Sequence, residues 1–231
     1  MLSQNNRKNK TILSFGAHPD DIELGCGGTQ RKLIKEGWTA HHIVMTSGEA
    51  GHPTIPPDEL AKIREKEARL AAKSLGASST NFLRLQDGLT QVNRQDKIAV
   101  IQWIRKLQPQ FIFVHASTDR FNDHKILGDL VRDAATVAAG PWFQEAGEHP
   151  WTVDTIYGYE VWDPLPAFQT SVDISQQIED KVAALHHHKS QLEFTDYESA
   201  TRGLAQYRGV MSHTGKFAEV FEIIKSPFNS I

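Results

Sequence analysis

Five short runs rich in β-branched and aromatic residues, at 11–17, 40–46, 81–85, 111–115 and 155–161, alternate with longer segments whose apolar residues recur at helical spacing. That alternation is the βαβ pattern of a mostly parallel sheet, and it narrows the fold more than any other feature of the chain. The spacing predicts helices over 24–36, 57–75 and 92–107, the first two stopped by Gly37 and Gly76 and the third by Pro109. Each crossover is long enough to return the chain for parallel pairing. Further helices are expected over 124–139 and from 174 to about 192, with a loop over 140–151, while the C-terminal "FAEVFEIIK" suits a strand or a helix equally. No internal repeat, low-complexity tract or linker divides the 231 residues. Residues 1–231 are therefore expected to form one α/β domain, with 1–10 as a disordered or peripheral N-terminal segment.

Composition limits the partners. A formal charge of −3 offers no basic field for nucleic acid or an anionic membrane, so the expected partner is a small molecule. No apolar run approaches the roughly 18 residues of a membrane helix, and no apolar stretch follows the positively charged start "MLSQNNRKNK". The single cysteine, Cys26, excludes an internal disulfide and suits a reducing compartment, so a cytoplasmic location is expected.

Open parallel sheets bind ligands beyond the carboxyl ends of their strands. The segment "AHPDDIELGCGGT" (17–29) follows the first strand run directly, "SGEAGHP" follows the second and "ASTDRFNDH" the fourth. Three polar loops should therefore meet at one rim. Gly25, Gly27 and Gly28 do not form a G-x-G-x-x-G fingerprint, and "MTSGE" carries no acidic residue suited to a ribose, which makes a Rossmann nucleotide binder the weaker alternative. The glycines are expected instead to let a helix pack closely on the sheet, with backbone near a ligand.

His18 and Asp21 lie three apart at a helix start, where they share a face and can bind one cation. Asp20 points elsewhere, beside the cation rather than on it, where a general base belongs. His124 in "DRFNDH" is the best-placed third ligand. Two histidines and a carboxylate suit zinc in a hydrolase, iron(II) in an oxygenase, or another divalent metal. H-x-x-D on an α/β pattern, rather than H-x-D on an all-β one, favours hydrolysis. Taken singly, these residues have plainer readings: His18 and Asp21 as a helix cap, and His124 as a helix-capping or surface histidine. Likewise Arg64 and Glu67 read as a surface ion pair, "HHHKS" (186–190) as a solvated helix face, and Cys26, Trp103, Phe111 and Phe113 as core.

The stretch "AHPDDIELGCGGT" resembles the signature of the LmbE-like, or PIG-L, family of zinc-dependent N-deacetylases. "RLAAKSLG" preceded by Arg64 and Glu67, "LRLQDG", the D-x-x-x-D-H of Asp119 to His124, "HKSQ" at His188, and the late "RG" and "AEVF" extend the resemblance over essentially the whole chain. It implies a Rossmann-like single domain that hydrolyses an N-acetyl group on an aminosugar or aminosugar conjugate, and a trimer or hexamer. By position, His18, Asp21 and His124 match the metal ligands and Asp20 the general base. Arg64 matches an arginine lining the substrate site, and Asp119 a carboxylate that often precedes the metal histidine, so both are substrate-site candidates. Many members carry a further histidine three residues before the last ligand, where this chain has Phe121. His115, at the end of the fourth strand, is the candidate substitute, and His188 the other. The departure at Phe121 also leaves open a non-catalytic or altered-specificity sugar-binding homologue.

Overall fold

β1 (Thr11–Gly16) is buried along its whole length, as a strand covered by helices on both faces must be. The computed structural model describes residues 10–226, so all but Lys10 of the expected N-terminal segment lies outside the described residues. β1 is followed by α1 (Asp21–Lys35), β2 (Thr39–Thr46), α2 (Pro57–Leu75), β3 (Ser79–Leu85), α3 (Arg94–Leu107), β4 (Phe111–His115) and α4 (Asn122–Ala138). Then come β5 (Thr155–Tyr159), β6 (Thr170–Asp173), α5 (Ile178–Leu185), α6 (Lys189–Leu192), α7 (Tyr197–Met211) and β7 (Ala218–Lys225). The sheet order is β3-β2-β1-β4-β5-β7-β6. The first five strands in that order pair in parallel, and β7 lies antiparallel between β5 and β6. The chain is thus a single α/β unit with a mostly parallel sheet flanked by helices.

Alternate residues of the strands feed two cores. Leu13, Phe15, Ile112 and Val114 pack with Ile101, Ile104, Leu127 and Val131 on the α3/α4 face. Ile12, Val44, Phe113 and Tyr159 pack with Ile22 and Cys26 of α1 on the other. Trp103 and Phe111 are only partly buried at the margins of these cores.

At three places where the helices differ from the spacing, specific hydrogen bonds account for the difference. α1 begins three residues early because the Asp21 carboxylate accepts the His18 N–H (2.7 Å) and Leu24 N–H reaches Asp20 O (2.9 Å). α3 begins at Arg94 because Asn93 accepts from Gln95 N–H and Asp96 N–H while its own N–H donates to Asp96, a capping box. The single helix expected over 174–192 is two, because Ser190 turns inward and gives its N–H (2.9 Å) and hydroxyl (2.7 Å) to the buried Glu67. "FAEVFEIIK" resolves as β7, and β6 and α7 had no expectation at all.

Candidate active site

The switch in strand order between β1 and β4 opens the sheet at their carboxyl ends, and the polar loops gather there. On the β1 side the chain turns within four residues. Asp20 takes φ 115°, a conformation that non-glycine residues seldom hold, and this turn sends its carboxylate toward Arg64 and away from the His18 ring and the Asp21 carboxylate. Helix α1 then runs close over the sheet because Gly25 lies against the Tyr159 ring, which a Cβ would overlap, and a Cβ on Gly28 would come within 2.8 Å of Ile174. Glu219 of β7 accepts the Gly28 N–H (2.9 Å) and Thr29 N–H (2.7 Å), and Lys181 donates to Glu219 and to Leu24 O (2.7 Å).

His18, Asp21 and His124 converge. His18 Nδ1 lies 3.3 Å from His124 Nε2 and 3.4 Å from Asp21 Oδ2, and His124 Nε2 lies 3.5 Å from Asp21 Oδ1. Such separations are close to the edges of a tetrahedron around a cation with bonds of roughly 2.0–2.2 Å, and two nitrogens with one carboxylate are a donor set that zinc accepts. The residues present therefore fit a metal. Burial alone would raise the Asp21 carboxyl, yet His124 and His115 beside it hold it well below the usual carboxylate range. Burial opposes protonation of His18, but Asp123, Asp21 and Asp87 overcome it and raise its pKa well above the ordinary value.

Asp20 stands apart from this triad. Burial pushes its carboxyl up to about 6, against the downward pull of the Arg64 guanidinium. Arg64 is not half of a surface pair with Glu67. Both are buried: its Nη2 donates to Asp20 Oδ2 (3.2 Å) and Pro19 O (2.7 Å), its Nη1 to Gly48 O (3.0 Å), and Glu67 serves Ser190. The Tyr197 hydroxyl, on α7, also donates to Asp20 Oδ2 (3.4 Å).

The remaining expected residues lie behind these. Asp119 accepts from His124 Nδ1 (2.9 Å) and from Phe121 N–H (2.9 Å), so it braces the histidine. His115 is fully buried, its ring stacked on His124 at 3.7 Å, and its Nε2 accepts the Ala17 N–H (3.1 Å). Burial lowers its pKa to about 4. No face of His115 is open to a substrate. His188 is also fully buried, 3.3 Å from Glu23, so the run 186–190 is not a uniformly solvated face: His186 and Lys189 point outward while His188 and Ser190 turn in. The loop over 140–151 leads into the amino end of β5, at the opposite end of the strands from the site. It is pinned there by Arg105, which donates to the carbonyls of Gly140, Trp142, Phe143 and Gly147.

Several site residues were missed. Asp87 and Asp123 border His18, and Trp162, in the loop after β5, stacks on Phe121 with ring centroids 5.6 Å apart. "LRLQDG" held the signal for Asp87, but nothing in the sequence marked Trp162 or Tyr197.

The family model PIG-L, described as GlcNAc-PI de-N-acetylase, matches residues 13–135. The uncharacterized deacetylase YaiS of Escherichia coli is 33% identical over 82% of this chain and 96% of its own length. The solved N,N'-diacetylchitobiose deacetylase of Pyrococcus horikoshii superposes with a TM-score of 0.82 at 27% identity, over 96% of this chain and 88% of the other. The 4-carboxy-2-hydroxymuconate hydratase of Pseudomonas putida superposes with a TM-score of 0.86 at 22% identity, over 96% and 99%, a likeness of fold alone.

Proposed function

The chain belongs to the PIG-L (LmbE-like) family, and from that premise we propose that it removes an N-acetyl group from an aminosugar or aminosugar conjugate, releasing acetate and a free amine. The observation that carries the reading is the separation of roles inside one turn: His18 and Asp21 face His124, while Asp20, the residue between Pro19 and Asp21, faces Arg64 instead. A hydratase of the same fold exists, so architecture does not choose the reaction. The relative that acts on diacetylchitobiose supports an N-acetylated sugar as substrate.

His18, Asp21 and His124 would hold the metal, and zinc suits them. When bound, such a cation supplies Lewis acidity, polarising an amide carbonyl and lowering the pKa of water to about 7. Asp20 then takes the proton of the attacking water. Its carboxyl, raised to about 6 by burial and held in place by Arg64 and Tyr197, is suited both to accept that proton near neutral pH and to return it to the departing nitrogen. The water oxygen bonds to the acetyl carbon, the C–N bond breaks, and the returned proton leaves on the amine. Phe121 has no proton to give, so this double duty falls on Asp20. His115 and Asp119 act by holding the His124 ring rather than by meeting substrate. Arg64 keeps Asp20 aimed, and His188 supports the same corner through Glu23.

Metal analysis of the purified protein, with acetate release from N-acetylglucosamine, diacetylchitobiose and N-acetylglucosaminyl conjugates, tests the proposal. Stoichiometric zinc and acetate from at least one sugar are expected. A metal-free protein, or a zinc-loaded one that binds these sugars without cleaving any, would remove the deacetylase reading. The implied trimer or hexamer and the cytoplasmic location belong to the same proposal, and sedimentation and cell fractionation test them. Among the described residues no helix is long and apolar enough to cross a membrane.

A further inference from the structure

"LRLQDG" belongs to the resemblance, but nothing so far has given it work. β3 ends at Leu85, and the next turn folds back over the outer edge of the His18 ring. Asp87 Oδ1 lies 3.0 Å from His18 Nε2, and Asp123 Oδ2 lies 3.4 Å from the same nitrogen. Asp123 is buried and Asp87 half-buried, and both carboxylates are tied to backbone: Ala50 N–H donates to Asp87 Oδ2 (3.0 Å) and Gly88 N–H to Asp123 Oδ2 (2.8 Å). Two fixed carboxylates therefore meet one ring nitrogen.

We propose that Asp87, with Asp123 in support, is a positioning residue that keeps the His18 proton on Nε2 and so leaves Nδ1 as the nitrogen facing Asp21 and His124. An ionised carboxylate only accepts hydrogen bonds, so Nε2 beside two of them is the donor. As a metal ligand the ring is neutral and carries one N–H, so that Nδ1 then holds the lone pair. The mirror arrangement on His124 has Asp119 on Nδ1, leaving Nε2 for the cluster. Each histidine thus has a carboxylate on the edge away from the site, an arrangement that orients a metal-binding ring. Asp119 is five residues from its histidine, but Asp87 comes from a different crossover. Through Gly88 and Asp123 its loop also fastens the first turn of α4, one residue before His124. The turn after β3 therefore ties the two histidines together.

The inference rests on the metal reading above, and the test separates the two. Zinc affinity is measured by competition with a chromophoric chelator for wild type, Asp87→Ala and Asp87→Asn. The His18 tautomer in the zinc-loaded protein is read from long-range proton–nitrogen NMR, and thermal unfolding of each metal-free protein serves as the control. Wild type is expected to carry the His18 proton on Nε2. Asp87→Ala should lose about 10- to 100-fold in zinc affinity, with little change in metal-free unfolding. Asp87→Asn keeps an acceptor oxygen and should recover most of the loss. An Asp87→Ala affinity within about twofold of wild type, well short of that loss, or a His18 proton found on Nδ1, overturns the inference and leaves the metal reading standing. If Asp87→Ala does not fold, the wild-type tautomer and the Asp87→Asn affinity decide: a proton on Nδ1, or an Asn variant as weak as a loss of about 100-fold, counts against it. Wild type that binds no divalent cation overturns both.

Discussion

His18 and His124 reach the same point by different means. The His18 side is one continuous stretch: strand β1, a turn at Asp20 in the left-handed region, and α1 pressed against Tyr159 and Ile174 through Gly25 and Gly28. It is held by packing and by backbone hydrogen bonds to Glu219. The His124 side comes from the loop between β4 and α4 and the first turn of α4, and depends on carboxylates: Asp119 accepting from the ring, Asp123 accepting the Gly88 N–H of the β3–α3 loop (2.8 Å), and Asp163 accepting the Arg120 N–H (2.8 Å). The backbone of the first half is set mainly by close packing, with carboxylates reaching only the outer edge of the His18 ring, whereas the second half is held mainly by carboxylates. Shape persists when a cation is removed, whereas buried like charges gathered around a site depend on what balances them.

The largest effect should come from Asp20, which belongs to the closely packed half and is the proposed general base. Asp20→Asn keeps the turn and removes the proton acceptor, and turnover is expected to fall about 10²- to 10⁴-fold with zinc content unchanged; steady-state acetate release beside metal analysis measures both. Retained turnover would take Asp20 out of the mechanism. Gly25→Ala strikes the packing. The added methyl overlaps the Tyr159 ring, and denaturant unfolding should show a loss of about 1–3 kcal/mol with activity per folded molecule nearly intact. Asp119→Ala probes the half held by carboxylates: zinc affinity should drop about 10- to 100-fold while metal-free stability changes less than in Gly25→Ala. Were Asp119→Ala instead the more destabilised of the two, the contrast between the halves would fail. Removing the cation with a chelator should speed hydrogen exchange in the loops over 86–90 and 116–124 while α1 stays protected, and equal loosening of both would also break the contrast. The smallest effect belongs to the rim. Arg120→Ala deletes an ion pair with Asp163 whose arginine side chain is 68% exposed, and stability should move by less than about 0.5 kcal/mol, measured by denaturant unfolding.

The same contrast governs what could be read in advance. The bounds of α2 and β4 follow from spacing alone, because each is an amphipathic or apolar run closed by its own Gly, Pro or polar neighbour. β6 escaped because it is four half-buried residues at the sheet edge. α7 escaped because its buried positions, Tyr197, Thr201, Ala205, Arg208 and Gly209, include few apolar side chains. Arg64 and Glu67 look like a solvated i,i+3 pair in sequence, yet each is drawn inward by a partner 44 or 123 residues away.

By itself the sequence determined the α/β order and the turn that separates Asp20 from Asp21, since periodicity and local turn chemistry act over a few residues; His124 joined His18 and Asp21 through the expectation that three polar loops meet at one rim and through the family resemblance. Only the tertiary structure decided that His115 and His188 are buried, that Asp119 accepts from the His124 ring, that the loop over 140–151 lies at the amino ends of the strands, and that Asp87 and Asp123 share the outer nitrogen of His18. Those outcomes depend on which strand ends meet at one rim and which ring nitrogen a distant carboxylate reaches, and a hydrogen bond across a hundred residues leaves no period in the chain.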